Sequence, residues 1–126
     1  MKGLIVRQPW ASLIVSGKKQ WEIRRTKTRY RGPVAIISQK NVLGVVEIVD
    51  VIGLPVEEMA ARVEKHCSDP ATIKSYGEGR GVLYAWVLNG AKRLKEPLPI
   101  RIPRGAQTWV KIPESVEEEI WKSLEG

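Results

Sequence analysis

Lys19, Glu22 and Arg24 place an amine, a carboxylate and a guanidinium close together in the sequence. Residues 20–24 alternate between polar and apolar side chains, which predicts a β-strand with Glu22 and Arg24 on one face. Lys19 directly precedes this strand, so we expect the three side chains to converge on one pocket. Opposite charges at this spacing hold each other ionised, which favours a fixed recognition site. If burial instead lowers the pKa of Lys19, the amine could work with Glu22 on an amide or a phosphodiester.

Glu47 is a candidate third charged group of the same pocket. It is the one acid within residues 43–49, which are rich in β-branched side chains, as expected for a strand. On an inward face its carboxylate would need a cationic partner, which Lys19 or Arg24 could provide. That arrangement places Glu47 at the floor of the pocket. The alternation with its apolar neighbours equally permits an outward, solvated position.

A strongly basic segment follows the predicted strand. Residues 24–31 hold five cations and a tyrosine, a composition suited to phosphate contacts and to stacking of Tyr30 on a base. Neutralising Arg25, Lys27 and Arg29 together would then flatten the salt dependence of binding. The alternative is a solvated loop without a partner. The five cations are Arg24, Arg25, Lys27, Arg29 and Arg31.

Gln8 and Trp10 are the other candidate contacts. Pro9 suits a first helical position, apolar residues follow at helical spacing, and Gly17 suits the end of a helix of about two turns. At the start of that helix, a partly exposed Trp10 ring and free backbone N–H groups could receive a base and a phosphate. The chain has five Trp and no Phe, and the other tryptophans are expected in the core.

The net charge of +7 is concentrated in the first part of the chain. Residues 1–50 hold ten Lys or Arg against three acidic residues, whereas residues 51–126 hold eleven of each sign. Clustered cations attract phosphates and release their counterions, so a surplus confined to one part of a domain suits a polyanion. The distribution therefore predicts a nucleic-acid partner.

No metal, cofactor or membrane is predicted as a partner. His66 and Cys67 are the single residues of their types, and one of each cannot complete a tetrahedral zinc shell. The apolar runs are too short to span a bilayer, and the N-terminus carries a charge at residue 7 instead of a signal-peptide pattern. We therefore expect a cytoplasmic protein that needs no cofactor.

The predicted elements indicate one α+β domain that fills residues 1–126. Hairpins or irregular loops join the strands without a βαβ rhythm. Asp69 and Pro70 suit an N-cap and the first residue of a helix, and Ser115 with Glu118 suits the capping box of a C-terminal helix. Strands are predicted over residues 3–7, 20–24, 33–38, 43–51, 82–88 and 108–112, a helix over residues 56–63, and irregular extended chain over residues 97–104.

Residues 8–11, Gln-Pro-Trp-Ala, and residues 17–24 together resemble the signature of the ASCH family, G-x-K-x-x-E-x-R with a preceding Q-P-W segment. The order of the later strands is also similar, so the resemblance covers most of the chain. It implies a PUA-like mixed β pseudo-barrel with a short N-terminal helix and peripheral helices. It further implies RNA or nucleotide binding in a cleft beside the first helix, in a larger translation or transcription complex. The signature positions are Gly17, Lys19, Glu22 and Arg24.

One branch of the family consists of small amidohydrolases that act on N4-acylated cytidines. That branch has a threonine where this chain has Glu22, beside a lysine that matches Lys19. A carboxylate cannot replace a hydroxyl nucleophile without a change of mechanism, and the third catalytic group, a carboxylate, could be Glu47 or Asp69. An amidohydrolase or nuclease that uses Lys19, Glu22 and Glu47 is therefore the alternative. The favoured prediction is a module that binds single-stranded or structured RNA in a cleft formed by the signature and the basic segment.

Overall fold

The computed structural model describes residues 1–125, which form six strands and five helices. No helix within these residues is long and apolar enough to cross a membrane. The strands are β1 (Lys2–Ile5), β2 (Trp21–Arg24), β3 (Gly32–Ser38), β4 (Asn41–Pro55), β5 (Val82–Pro99) and β6 (Trp109–Lys111). The helices are α1 (Trp10–Val15), α2 (Val56–Ala60), α3 (Val63–His66), α4 (Pro70–Tyr76) and α5 (Glu114–Glu125).

The six strands form one open sheet in the order β2, β5, β4, β3, β1, β6. β1 and β3 run parallel, and the other neighbours are antiparallel. The sheet curls strongly, as a contact between distant strands shows. Trp86 on β5 and Trp109 on β6 stack with 5.5 Å between their ring centroids, although three strands lie between β5 and β6 in the sheet. The predicted α+β class is confirmed, but the expected barrel is a curled sheet whose edges do not close.

Three groups of buried apolar side chains hold the elements together. Inside the curled sheet, Ile14 of α1 packs in one group with Val46 of β4. A second group lies between the sheet and α5, around Ile120. The third holds β2 to α2 and α4 and includes Trp21 and Met59. The two elements that flank Lys19, α1 and β2, are therefore each anchored in a core.

The turn between β3 and β4 has the conformation that a tight hairpin requires. Gln39 and Lys40 adopt φ angles of 51° and 63°. Two consecutive residues with positive φ form a hairpin turn whose twist matches that of the strands. Further along β4, Gly44 permits close approach of β5, because a Cβ atom there would lie 2.3 Å from the carbonyl oxygen of Lys92.

The strands β4 and β5 are longer than the sequence predicts. β4 continues to Pro55 and β5 to Pro99, past the predicted ends at residues 51 and 88. The chain passes Gly90 without leaving the sheet because the pairing with β4 shifts register there, as in a β-bulge. The segment predicted as irregular near residue 97 is therefore partly strand.

The helices differ from the prediction at their ends. The predicted helix over residues 56–63 is two short helices, α2 and α3, because the backbone leaves the helical conformation between them. α5 begins at Glu114, so Ser115 lies within its first turn and is not its cap. Asp69 does cap α4, where its side chain accepts a hydrogen bond from a backbone N–H.

Candidate nucleic-acid interface

The structure brings the side chains of Lys19, Glu22 and Arg24 together. Arg24 Nε donates a hydrogen bond to Glu22 Oε2 at 2.9 Å, and Arg24 Nη2 lies 2.7 Å from the same oxygen. The ammonium of Lys19 lies 3.9 Å from Glu22 Oε1. The two-residue period of β2 accounts for the contact between Glu22 and Arg24, since both side chains leave the same face of the strand. We refer to these three residues as the ion-pair cluster.

The ion-pair cluster is largely closed to solvent. Lys19 is 3% exposed and Glu22 is 7% exposed, and Lys19 Nζ also donates to the backbone carbonyl of His66 at 2.6 Å. Burial lowers the pKa of Lys19, and this effect exceeds the opposing effect of the Glu22 carboxylate. Desolvation of the ammonium therefore influences the pKa of Lys19 more than the Glu22 carboxylate does, and the expectation that the opposite charges hold each other ionised stays a prediction.

Arg24 connects the two sides of the curled sheet. Its strand, β2, is one edge, and β1 is the fourth strand away from it in the sheet. Arg24 Nη2 nevertheless donates to the backbone carbonyl of Ile5 on β1 at 3.1 Å, and the guanidinium lies 5.5 Å from the ring centroid of Trp86. In a closed barrel, backbone hydrogen bonds would join the two edges. Here a side chain spans the opening, which favours a structural role for Arg24.

Glu47 does not belong to the ion-pair cluster. It is exposed, whereas Val46 and Ile48 on either side are buried inside the curled sheet. Side chains alternate between the two faces of a strand, so the inward positions on β4 belong to these two apolar residues. The predicted place of Glu47 at the floor of the pocket is therefore wrong. Asp69 is also exposed, at the cap of α4, so neither acid supplies a third group to the cluster.

A pocket lies at the end of α1, beside the helix where the resemblance implies a cleft. It has a volume of about 340 Å³, and its lining includes Gly17, Lys19 and Gln20 together with Asn89 of β5. Because Glu22 and Arg24 do not line it, the signature as a whole does not form this pocket.

The basic segment forms a loop between β2 and β3, residues 25–31, which we call the basic loop. Trp86 Nε1 donates to the backbone carbonyl of Thr26 at 2.9 Å. Arg25 stacks with its guanidinium 4.1 Å from the ring centroid of Tyr76, and Arg25 Nε donates to the carbonyl of that residue at 3.1 Å. The protein therefore holds the start of the loop in a defined position.

Tyr30 anchors the other end of the basic loop. Its hydroxyl donates to the backbone carbonyl of Pro33 at 2.7 Å, and its ring meets the ring of Trp109 edge to face at 5.8 Å. The ammonium of Lys2 lies 5.3 Å from the centroid of the Tyr30 ring. These contacts give Tyr30 a packing role, and the stacking of Tyr30 on a base stays a prediction.

Three cations of the basic loop line an open groove with a volume of about 760 Å³. Lys27, Arg29 and Arg31 are exposed, and Gly53 of β4 and Tyr84 of β5 contribute to the same groove. A groove that combines exposed cations with an aromatic ring is suited to a phosphate backbone that carries unpaired bases. We call it the basic groove, and its lining consists of Lys27, Thr28, Arg29, Arg31, Val51, Gly53 and Tyr84.

Tyr84 is a groove residue that the sequence pattern does not single out. The alternation over residues 82–88 places Tyr84 on the same strand face as Trp86, which indicates a core position. Tyr84 does pack against the core inside the curled sheet, but it is partly exposed and lies opposite Gly53 on β4. Only the pairing register of the two strands reveals this neighbour, and the sequence alone does not determine that register.

Gln8 and Trp10 do not line the basic groove. Gln8 Oε1 accepts a hydrogen bond from the backbone N–H of Ser12 at 3.0 Å, which satisfies a donor in the first turn of α1. Trp10 is half-buried and packs against the core inside the curled sheet. Contact of either residue with nucleic acid stays a prediction.

His66 is buried and has a partner for each ring nitrogen. Its Nε2–H donates to the carbonyl of Ala60 at 3.1 Å, and its Nδ1 accepts from the backbone N–H of Ser68 at 3.0 Å, which corresponds to the neutral ring. Burial lowers the pKa of His66 from its ordinary value of 6.5. Within the part of the chain that the structure describes, no group of three His, Cys, Asp or Glu side chains is placed to hold a metal ion.

We expect the buried His66 to make the fold less stable in acid. Below pH 6.5 the unfolded chain binds a proton on His66 that the folded chain takes up only at lower pH. Stability is therefore lost as the pH falls from 6.5 towards the folded pKa, by at most about 1.4 kcal/mol per pH unit for one proton. Urea unfolding in a series of buffers measures this slope, which should be smaller in His66→Gln. Equal slopes in the two proteins would refute the assignment.

The comparisons with known proteins agree with this architecture. The sequence profile of the ASCH domain matches residues 4–98, and no curated protein matches the chain. The crystal structure of ASCH from Zymomonas mobilis has a TM-score of 0.81 at 18% identity, over 96% of this chain and 93% of that chain. A mutant of the same protein gives 0.80 at 18% identity over 96% of both chains.

At this level of identity the two crystal structures show a shared fold alone. The ASCH family has a PUA-like fold and is generally linked to RNA binding. Since its profile covers most of this sequence and the architecture is the same, the chain belongs to the ASCH domain family.

Proposed function

We propose that this ASCH domain is a binding module that holds single-stranded or structured RNA in the basic groove. The observation that carries the proposal is the presentation of Lys27, Arg29 and Arg31, which are exposed on a loop fixed at both ends. A fixed loop loses little conformational freedom on binding, so more of the interaction energy appears as affinity. Contacts with phosphates then supply affinity and position without reading sequence.

The charges around the basic groove are not neutralised by the protein. None of the three groove cations forms an ion pair within residues 1–125, and no acidic residue lines the groove. Arg31 donates to the backbone carbonyls of Thr28 and Tyr30, which holds its guanidinium beside the loop. Like charges held close together favour an external polyanion, because binding replaces their mutual repulsion with attraction. Recruitment into a larger translation or transcription complex in the cytoplasm remains a prediction from the resemblance.

Neutralising the groove cations should reduce both the affinity for RNA and its dependence on salt. In the triple variant Lys27→Gln, Arg29→Gln and Arg31→Gln, three phosphate contacts are lost. For a single strand this should lower the slope of log affinity against log salt by about two units. Titration of a labelled oligouridylate at several salt concentrations measures the slope.

A matched triple variant separates the groove from net charge. Lys92, Arg93 and Lys95 are exposed on the other half of β5, and their replacement by Gln changes the net charge by the same amount. The slope of this control should stay close to that of the unmodified protein. If both triple variants lose the same slope, the basic groove is not the nucleic-acid surface.

One observation favours a second candidate function, an amidohydrolase that acts on N4-acylated cytidines. Burial lowers the pKa of Lys19, as an amine that takes part in proton transfer requires. Against it, the Lys19 ammonium is enclosed and donates to the carbonyl of His66, so a substrate would have to displace that contact. The third catalytic group of such an enzyme, a carboxylate, is also missing beside Lys19 within residues 1–125, since its two candidates, Glu47 and Asp69, are exposed.

We therefore expect no hydrolysis of N4-acetylcytidine by the purified protein. Incubation followed by chromatography should release no more cytidine than a Lys19→Met control, which removes the amine and keeps an apolar chain of similar length. Release of cytidine by the unmodified protein that Lys19→Met abolishes would show that the domain is an enzyme.

A further inference from the structure

The basic groove lies beside a part of β4 that has a neighbour on one side only. Pairing between β3 and β4 ends where Gly32 meets Ile48, whereas pairing between β4 and β5 continues until Pro55 meets Val82. Past Ile48, β4 is therefore an uncovered strand edge. The basic loop leads into β3, and three of its cations line the groove together with residues of β4 past Ile48 and with Tyr84 of β5.

Tyr84 is the one aromatic residue in the lining of the basic groove. It lies opposite Gly53, and a Cβ atom at that glycine would be 3.2 Å from Tyr84 Cε1. The Tyr84 ring thus lies against the backbone of Gly53, and Tyr84 also packs against the core inside the curled sheet, so both contacts hold the ring in position. The ammonium of Lys27 lies 5.6 Å from the ring centroid.

The other aromatic residues near the groove are occupied by the fold. Trp86 is 2% exposed and stacks on Trp109, and the Tyr30 hydroxyl is bonded to the carbonyl of Pro33. Tyr84 forms no side-chain hydrogen bond within residues 1–125 and remains partly exposed. Of the aromatic rings beside the basic loop, Tyr84 is thus the one that lines the groove without a side-chain hydrogen bond to the protein.

We infer that Tyr84 is a stacking platform for one unpaired base of a single-stranded nucleic acid. This inference rests on the proposed function and assigns a residue that selects the class of nucleic acid. The base takes the ring surface beside Lys27, and the Lys27 ammonium moves to a flanking phosphate. In a duplex both faces of each base are covered by neighbouring bases, so the platform selects single strands.

Binding of three probes by Tyr84 variants tests the platform. The probes are an oligouridylate of about ten nucleotides, a thymidine DNA strand of the same length, and an abasic strand with the same phosphates. In Tyr84→Leu, affinity for the first two should fall about 5- to 150-fold, as in other losses of base stacking, and affinity for the abasic strand should stay the same. Tyr84→Phe keeps the ring and should bind all three probes like the unmodified protein.

Each remaining outcome decides between the inference and the proposed function. If the unmodified protein binds the abasic strand as tightly as the oligouridylate, the platform is wrong while the proposed function stands. If the triple variant of Lys27, Arg29 and Arg31 also leaves the affinity and its salt dependence unchanged, the proposed function fails as well. Tighter binding of a duplex than of its separate strands overturns the platform. Tyr84→Leu keeps an apolar group on Gly53, and melting temperatures establish that each variant is folded. If Tyr84→Leu is not folded, Tyr84→Phe takes its place, and a loss of affinity in Tyr84→Phe overturns the inference.

Discussion

Replacing Glu22 with Gln should reduce the stability of the protein by about 3–5 kcal/mol, the range found when one partner of a buried ion pair is removed. In this variant the Arg24 guanidinium and the Lys19 ammonium remain beside each other without a counter-charge. Solvent cannot replace the carboxylate, because Glu22 is only 7% exposed. The free energy of unfolding in urea measures the loss.

Glu47→Gln is the matched control for this prediction. It makes the same chemical change on β4, where Glu47 is exposed and forms no ion pair within residues 1–125. Its effect should stay within about 0.5 kcal/mol, as for most surface substitutions. Adding Lys19→Met to Glu22→Gln removes one of the uncompensated cations and should restore part of the stability. Equal losses in the two single Gln variants would contradict the buried position of the cluster.

The same variants separate the architecture of the domain from its binding surface. The signature residues Glu22 and Arg24 hold β2 to β1 across the opening of the curled sheet. The exposed cations lie further along, in the basic loop. At a temperature where Glu22→Gln is folded, we therefore expect its binding of oligouridylate to keep the salt slope of the unmodified protein, since the phosphate contacts are unchanged.

Local patterns were sufficient to predict the parts of the site that depend on neighbouring residues in the chain. The alternation over residues 20–24 predicts that Glu22 and Arg24 share a strand face, and the structure shows their contact. The antiparallel pairing of the strands predicted over residues 33–38 and 43–51 follows in the same way, since the two strands are adjacent in sequence. The period of a strand does not reveal which face is inward, and for this reason the position of Glu47 could not be decided.

The groove depends on contacts between residues that are distant in the sequence. β5 continues past Gly90 because β4 remains beside it, although a glycine after an asparagine suggests the end of a strand. The exposure of Tyr84 depends on where β3 ends along β4, which is a property of the sheet. The composition of residues 24–31 identified the basic loop, but only the fold separates Arg24, which is partly buried in an ion pair with Glu22, from Arg29, which is exposed.

Trp86→Ala should have an effect of similar size on stability and a second effect on binding. Trp86 is 2% exposed, stacks on Trp109 and lies under the guanidinium of Arg24. Truncation of a buried Trp costs about 3–5 kcal/mol. It also removes the Nε1–H donor that holds the carbonyl of Thr26, so the start of the basic loop loses an anchor. Affinity for oligouridylate should therefore fall, because a freer loop must be ordered on binding.

Trp21→Ala is the control that isolates the anchor of the loop. Trp21 is 8% exposed and packs with Met59 in the group that holds β2 to α2 and α4, away from the lining of the basic groove. Its truncation should destabilise the fold by a comparable amount and leave the affinity of the folded protein unchanged. Trp86→Phe completes the comparison, since it keeps an aromatic ring and removes the donor. Unchanged affinity in both Trp86 variants, measured below their melting temperatures, would mean that the Thr26 contact does not position the groove cations.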